Sequence, residues 1–302
     1  MQVALDLGIF KGLEVQCSTS QPYFSDKNRG CCAPGTRSDF APFTPVVGVF
    51  AILPAMQLQN ILFSQGFGTR RVCAGLVQQG FVHVYRAPDA TEPDLVTDSA
   101  LELEPEGLRF RVNGVEWEYF EKAYVMLHKP AGTECSQKPS TYPSIYTLLP
   151  SPLRLRPSKS AVQGIQAVGR LDQDTTGMLL LSDDGQFIHR MSAPKKHVPK
   201  VYDVTTKHPI DAAQVQKLLD GVVLDDDPKP VRAAACTVAD DHLLHLTLTE
   251  GKYHQVKRML AAVGNRVEGL HRSRVGGLEL RGLAPGEWCW LREADLQLLK
   301  PL

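Results

Sequence analysis

The stretch GRLDQDTTGMLLLS, residues 169–182, sets an arginine, two acids and two threonines between two glycines and then runs into four apolar residues. A short apolar run behind turn-forming residues reads as a strand buried on both faces. A carboxylate at the mouth of such a strand is unfavourable unless something holds it charged. Three simple explanations can be weighed. DQDTTG puts Asp172, Asp174, Thr176 and Gly177 where a calcium loop of the EF-hand type begins, but Asp183 replaces its closing bidentate Glu and apolar residues fill the intervening positions. A phosphatase-like DxDxT nucleophile over residues 172–176 requires a buried strand immediately before the first acid, and Gly169 with Arg170 interrupts it. An Asx-turn or cap accounts for Asp174 and Thr175. It leaves Asp172 as the acid that Arg170 can hold ionised and aimed.

Outward from this loop, residues 124–127, 178–181, 201–205 and 242–248 read as strands, and residues 211–219 and 253–263 as helices. In the second helix Val256, Met259, Leu260 and Val263 form an apolar stripe with Lys257 and Arg258 at its edge, and Gly264 stops it. Few helices and long excursions between strands predict an α+β domain with a mixed sheet over residues 119–302. No βαβ series, GxGxxG fingerprint or Walker A loop indicates a nucleotide cofactor. Upstream, Leu58, Ile61 and Leu62 mark one helix. Thr69 is the N-cap of a second over residues 70–79, with Val72, Leu76 and Val77 on its inner side. A strand begins at Phe81, and RFRVNGVEWE alternates around Asn113-Gly114 as a hairpin does. Residues 56–118 therefore form a smaller domain. Residues 1–55 hold three cysteines and no sustained period. They are expected to be a poorly ordered tail, or a stretch upstream of a natural start at Met56.

The chain has 302 residues, enough for two domains, with 43% apolar and 22% charged residues. No run approaches the roughly 20 apolar residues of a membrane-spanning helix. The longest candidate, residues 45–55, is broken by Gly48 and Pro54 and lacks a basic leader, which argues against a signal peptide. Seven cysteines without a CxxC spacing or Cys/His cluster point away from zinc and toward a reducing cytoplasm. Net charge is zero but segregated. Residues 56–86 carry Arg70, Arg71 and Arg86 without an acid, and residues 189–200 carry Arg190, Lys195, Lys196 and Lys200 without one. Residues 252–274 set six bases against Glu268, while ten acids gather between residues 89 and 121. Such segregation predicts a basic face that meets phosphate.

GRLDQDTTGMLLLSDDG resembles the central motif of the pseudouridine synthases, in the branch typified by the ribosomal small-subunit enzyme. LHKPAG (residues 127–132) is similar to that family's opening strand and turn. HRMSAPKKHVPKVYDV (residues 189–204) is similar to its second motif, and EGKYHQVKRMLAAVGNRVEGLHRSRVGG (residues 250–277) to its third. Residues 56–86 resemble the small RNA-binding fold named after the fourth small-subunit ribosomal protein. The resemblance implies cofactor-free, metal-free isomerisation of a uridine in 16S ribosomal RNA by a cytoplasmic monomer. A sibling acting on large-subunit RNA, or a non-catalytic RNA-binding module, is the alternative. It implies Asp172 as nucleophile or base, Tyr202 as the ring that stacks on the extruded uracil, and Lys257 as the cation that keeps Asp172 ionised. Arg170 would fill the space the base leaves, with Arg258 as the alternative cation and Thr176 counted among the substrate contacts. Thr69, Arg70 and Arg71 at a helix start, with Lys195 and Lys196, would meet RNA phosphate. His254 and His271 are expected to be phosphate contacts or surface residues.

Overall fold

The computed structural model describes residues 54–302 apart from 88, 159–161, 194–196, 226, 281 and 300–302. The expectations for residues 1–53 and for Lys195 and Lys196 lie outside the described residues.

The chain begins with a short β1 (Met56–Gln57) and α1 (Leu58–Gln65), which buries Leu58, Ile61 and Leu62. Thr69 caps α2 (Arg70–Gln78), its hydroxyl accepting the Val72 N–H at 3.3 Å. The inner face of α2 is Cys73, Leu76 and Val77, the i, i+3, i+4 set. Val72, expected inside, is pushed to the flank and stays half-buried. Strands β2 (Val82–Val84), β3 (Asp94–Leu95), β4 (Glu102–Leu103), β5 (Arg109–Val112) and β6 (Val115–Glu118) follow. They make an antiparallel sheet in the order β3-β2-β5-β6, with β4 pairing β1 separately. The β5–β6 hairpin turns on Asn113 and Gly114 at φ 50° and 80°, the left-handed pair a two-residue turn requires.

The larger sheet is assembled from β7 (Tyr124–Lys129), then, after the short helix α3 (Ser151–Leu155), β8 (Gln166–Ala167) and β9 (Thr176–Ser182). Helix α4 (Gly185–Ser192) leads to β10 (Lys200–Thr206), and α5 (Ala212–Asp220) to the separate pair β11 (Val222–Leu224) and β12 (Asp227–Val231). Next come β13 (Ala235–Asp240), β14 (Leu243–Leu248), α6 (Gln255–Ala262), β15 (Val267–Val275), β16 (Leu278–Glu279), β17 (Trp288–Trp290) and α7 (Glu293–Leu298). The strand order is β13-β14-β10-β15-β9-β7-β17, with β16 on β15 and β8 on β9. Every pairing is antiparallel except β15 with β9, so the fold is α+β with a mixed, mainly antiparallel sheet.

The apolar run of the opening motif is β9, and Met178, Leu179, Leu180 and Leu181 are all buried. Met178 and Leu180 share a core with Phe187 and Met191 of α4. The parallel contact of β9 with β15 spans two register pairs, His271 with Thr176 and Arg272 with Gly177. Gly177 sits at φ 104°, and a Cβ there would lie 2.3 Å from the Arg272 carbonyl oxygen. Only glycine lets the two strands close. The two halves of the sheet are thus joined by a short seam, and the loop before β9 lies at its end.

Arg156 is 2% exposed. It donates to Asp183, to Gln65 Oε1 at 2.8 Å, and to the carbonyls of Phe120 and Glu121 at 2.8 and 3.0 Å. It ties α1, the 120–121 connection and the end of β9 together. No helix among the described residues is long and apolar enough to cross a membrane.

Candidate active site

A cavity of about 550 Å³ opens at the seam. Its walls are the loop 168–173 with Thr175, the end of α4, Lys200 and Tyr202 of β10, the segment 248–256 entering α6, and Leu270 and Arg272 of β15. Tyr202 and Arg272 are register partners across β10 and β15, and Lys200 lies two residues before Tyr202, so strand geometry sets all three on one wall.

Asp172 also lines the cavity. Its Oδ2 is 3.6 Å from Lys257 Nζ and its Oδ1 3.3 Å from His254 Nε2. Lys257 is closer still to Asp174, at 2.7 and 2.8 Å from its two oxygens. Helix α6 delivers these partners: its apolar stripe Val256, Met259 and Leu260 is buried and turns Lys257 toward the loop. The loop itself is gathered from below. Lys129, fully buried at the end of β7, donates from Nζ to the carbonyls of Pro130, Gln173 and Thr175 at 3.1, 3.3 and 2.9 Å. The Thr175 N–H donates back to the Asp172 carbonyl at 3.1 Å. A paired carboxylate, a flat phenol and a cationic wall around one cavity suit covalent or acid–base work on a planar, anionic-backboned substrate. Among the described residues no cluster of three His, Cys, Asp or Glu side chains could hold a metal ion.

Comparison with known proteins places the chain in a family. The family model described as RNA pseudouridylate synthase matches residues 123–262. Ribosomal small subunit pseudouridine synthase A of Pasteurella multocida (strain Pm70) is 43% identical over 166 residues, 55% of this chain and 68% of that protein. The protein of the same name in Vibrio vulnificus (strain CMCP6) is 40% identical over 249 residues, 80% of this chain and 98% of its own. The chain belongs to the RNA pseudouridylate synthase family. A crystal structure of a pseudouridylate synthase, 32% identical, superposes with a TM-score of 0.55 over 81% of this chain and 99% of its own. Members of this family are isomerases.

Against the synthase motifs, the structure distributes the expected residues unevenly. Asp172, Tyr202 and Arg170 line the cavity and Lys257 reaches Asp172 from behind. Arg170 is exposed and makes no ion pair with Asp172 among the described residues. Asp174 is not merely a loop cap. Burial pushes its carboxyl up, but the Lys257 hydrogen bond and charge outweigh that and hold it below the usual carboxylate range. Thr176 does not line the cavity. Strand alternation turns its Oγ1 to His271 Nδ1 at 2.9 Å, and Thr175 takes the cavity side. Arg258 turns back to its own helix start, donating to the Tyr253 carbonyl at 3.2 Å. Thr69, Arg70 and Arg71 are exposed at the start of α2, where Arg70 also packs its guanidinium over Phe63.

Three synthase residues at the site, Lys129, Lys200 and Arg272, had no role assigned from the sequence, and His254 was expected only as a phosphate contact or surface residue. His254 pairs with Asp172, and its signal was the HQVK spacing that puts it one turn from Lys257. Lys129 grips the loop, as only burial could reveal. Arg272 is buried, with Nε donating to the Met178 carbonyl at 2.8 Å. Burial, with Arg272 beside it, lowers Lys200 to about 8.

Proposed function

We propose that this synthase converts one uridine of small-subunit (16S) ribosomal RNA to pseudouridine, without a cofactor, as a cytoplasmic monomer. The observation that carries this reading is that Asp172 and Tyr202 line one cavity, with Lys257 and His254 within 4 Å of the two Asp172 oxygens. The target nucleotide leaves its stack, at a cost of a few kcal/mol, and enters the cavity. There Tyr202 lies against the uracil ring and Asp172 meets the sugar or base, as nucleophile or as base for an elimination. Lys257, 3.6 Å away, faces the negative charge of that carboxylate. The N-glycosidic bond breaks, the base turns, and a carbon–carbon bond forms through C5. That carbon loses its proton and the old glycosidic nitrogen gains one. Arg170 at the rim is placed to enter the vacated stack, and Lys200 and Arg272 to face phosphate. The small N-terminal domain of residues 56–118, two helices followed by a four-stranded sheet, is read as the ribosomal-protein-like RNA grip, with Thr69, Arg70 and Arg71 on phosphate and Lys195 and Lys196 adding to the basic face. The relatives' names support small-subunit RNA.

The test is tritium release from a 16S transcript labelled at uridine C5. The wild-type chain should release one equivalent at one site. Asp172→Asn should fall to background while RNA binding stays within a few-fold. Full turnover by that variant would remove Asp172 from the chemistry, and no release by the wild type would remove the reading.

A further inference from the structure

We propose that Tyr253 and His254 form a second nucleobase platform at the mouth of the cavity, which takes the base of a nucleotide adjoining the target uridine and so seats that uridine against Asp172. The inference rests on the reading of the cavity as a uridine site. The two rings stack with centroids 3.8 Å apart and planes 21° from parallel. Both residues line the cavity, yet Tyr253 is 68% exposed. A tyrosine that packed for stability would bury its ring, and this one stacks on a neighbouring imidazole while staying largely exposed.

The backbone beneath it is also set for a purpose. His254 adopts φ 48°, a left-handed conformation that costs a non-glycine residue about 1 kcal/mol or more and persists where its surroundings impose it. In that conformation the imidazole faces two ways: Nε2 reaches Asp172 at 3.3 Å, and one ring face carries Tyr253. The Arg258 guanidinium fixes the Tyr253 carbonyl at 3.2 Å. The result is a flat, preorganised aromatic surface, wet on its outer side, whose far end touches the acid of the site. A nucleobase is the occupant that fits, because every base has a π-face and the two rings line the same cavity as the cationic Lys200 and Arg272. One ring then continues a stack that starts at Asp172, and binding of the neighbouring base is read directly by the residue that positions the carboxylate.

The experiment compares the wild type, Tyr253→Ala and Tyr253→Phe on a short small-subunit ribosomal RNA transcript carrying the converted uridine. Matching transcripts carry an abasic nucleotide at each flanking position. Stacking of one base predicts that Tyr253→Ala lowers kcat/KM by roughly 5- to 100-fold, mainly through KM, and that Tyr253→Phe stays near wild type. One flanking abasic site should lower the wild type by a similar factor and Tyr253→Ala hardly further. If Tyr253→Ala loses the same factor on every abasic transcript, the ring acts only through His254 and the platform is overturned. If it loses nothing on the intact transcript, the platform is overturned while the uridine site stands. A wild-type chain that converts no uridine in the intact transcript takes both readings down. The exposed position spares the fold, which thermal unfolding of both variants checks.

Discussion

Asp172 and Asp174 are two residues apart and share one ammonium, yet they keep different company. Lys257 lies against both oxygens of Asp174 and stands 3.6 Å from Asp172, whose other oxygen meets His254 across the cavity mouth. Asp174 thus fixes the cation, and Asp172 uses it while remaining open to a substrate. The cavity wall formed by β10 has the opposite problem. Lys200 is a cation whose burial lowers it to about 8 from the ordinary 10.5. A lysine so placed loses its proton as pH rises through about 8, well before an exposed one does. If it holds an RNA phosphate, KM for RNA should rise roughly tenfold between pH 7 and 9, the loss expected when one required proton titrates near 8. Lys200→Arg, whose guanidinium stays charged, should flatten that profile. Unfolding does not confuse the measurement. The unfolded chain keeps this proton to about 10.5, so it binds more protons than the fold over this window and stability rises with pH. A wild-type KM that stays flat at constant ionic strength would remove Lys200 from phosphate binding.

Elements with a strong local period were legible in the sequence, and those made by long-range contact were not. The apolar run 178–181 became β9, the stripe Val256, Met259, Leu260 became the inner face of α6, and Asn113-Gly114 became the hairpin turn. Helix α4 escaped notice because Phe187 and Met191 are its only buried residues and its cap, Asp184 accepting the Gln186 N–H, lies inside an acidic pair that reads as loop. The site divides the same way. Asp172, Tyr202, Lys257 and Arg272 all sit in contiguous motifs, but that Arg272 lies beside Tyr202 follows only from the register of β10 with β15. Thr176, expected among the substrate contacts, turns its hydroxyl to His271, a direction that depends on where strand alternation begins. The element that decides all of this is the β9–β15 seam. At Gly177 a methyl group would meet the Arg272 carbonyl oxygen at 2.3 Å and its nitrogen at 2.6 Å, both backbone atoms, at a φ that disfavours any side chain. Gly177→Ala should therefore destabilise by about 3 kcal/mol or more. Gly185→Ala, where a Cβ meets nothing and the helix begins, should be neutral or slightly stabilising. Urea midpoints for the two variants check this, and an unshifted Gly177→Ala midpoint would mean that the seam is not tight.

Across the whole molecule, one buried charge links regions far apart in sequence. Arg156 comes from the segment after α3, Asp183 follows β9, Gln65 ends α1, and the carbonyls of Phe120 and Glu121 belong to the connection between the two sheets. Asp183 also accepts the Ala123 N–H at 2.8 Å, and Trp290 stacks on Phe120 at 4.2 Å beside this node while meeting Trp117 edge-on at 5.6 Å. A planar guanidinium can reach four acceptors at once, and an ammonium on a shorter fork cannot. Because a buried ion pair gains little over an apolar pair but costs much when one partner is removed, Arg156→Met should lose roughly 3–5 kcal/mol through the stranded Asp183 and unpaired carbonyls. For a unit of this size that is a fall in Tm on the order of 10 °C. Arg156→Lys should recover less than half of it, since charge returns without the geometry. Removing Asp183 as well, in Arg156→Met with Asp183→Asn, should restore part of the loss, because the stranded carboxylate is gone. Differential scanning calorimetry distinguishes the cases. If Arg156→Lys matches the wild type, the node is a simple charge contact and the four-acceptor geometry of the guanidinium adds no stability.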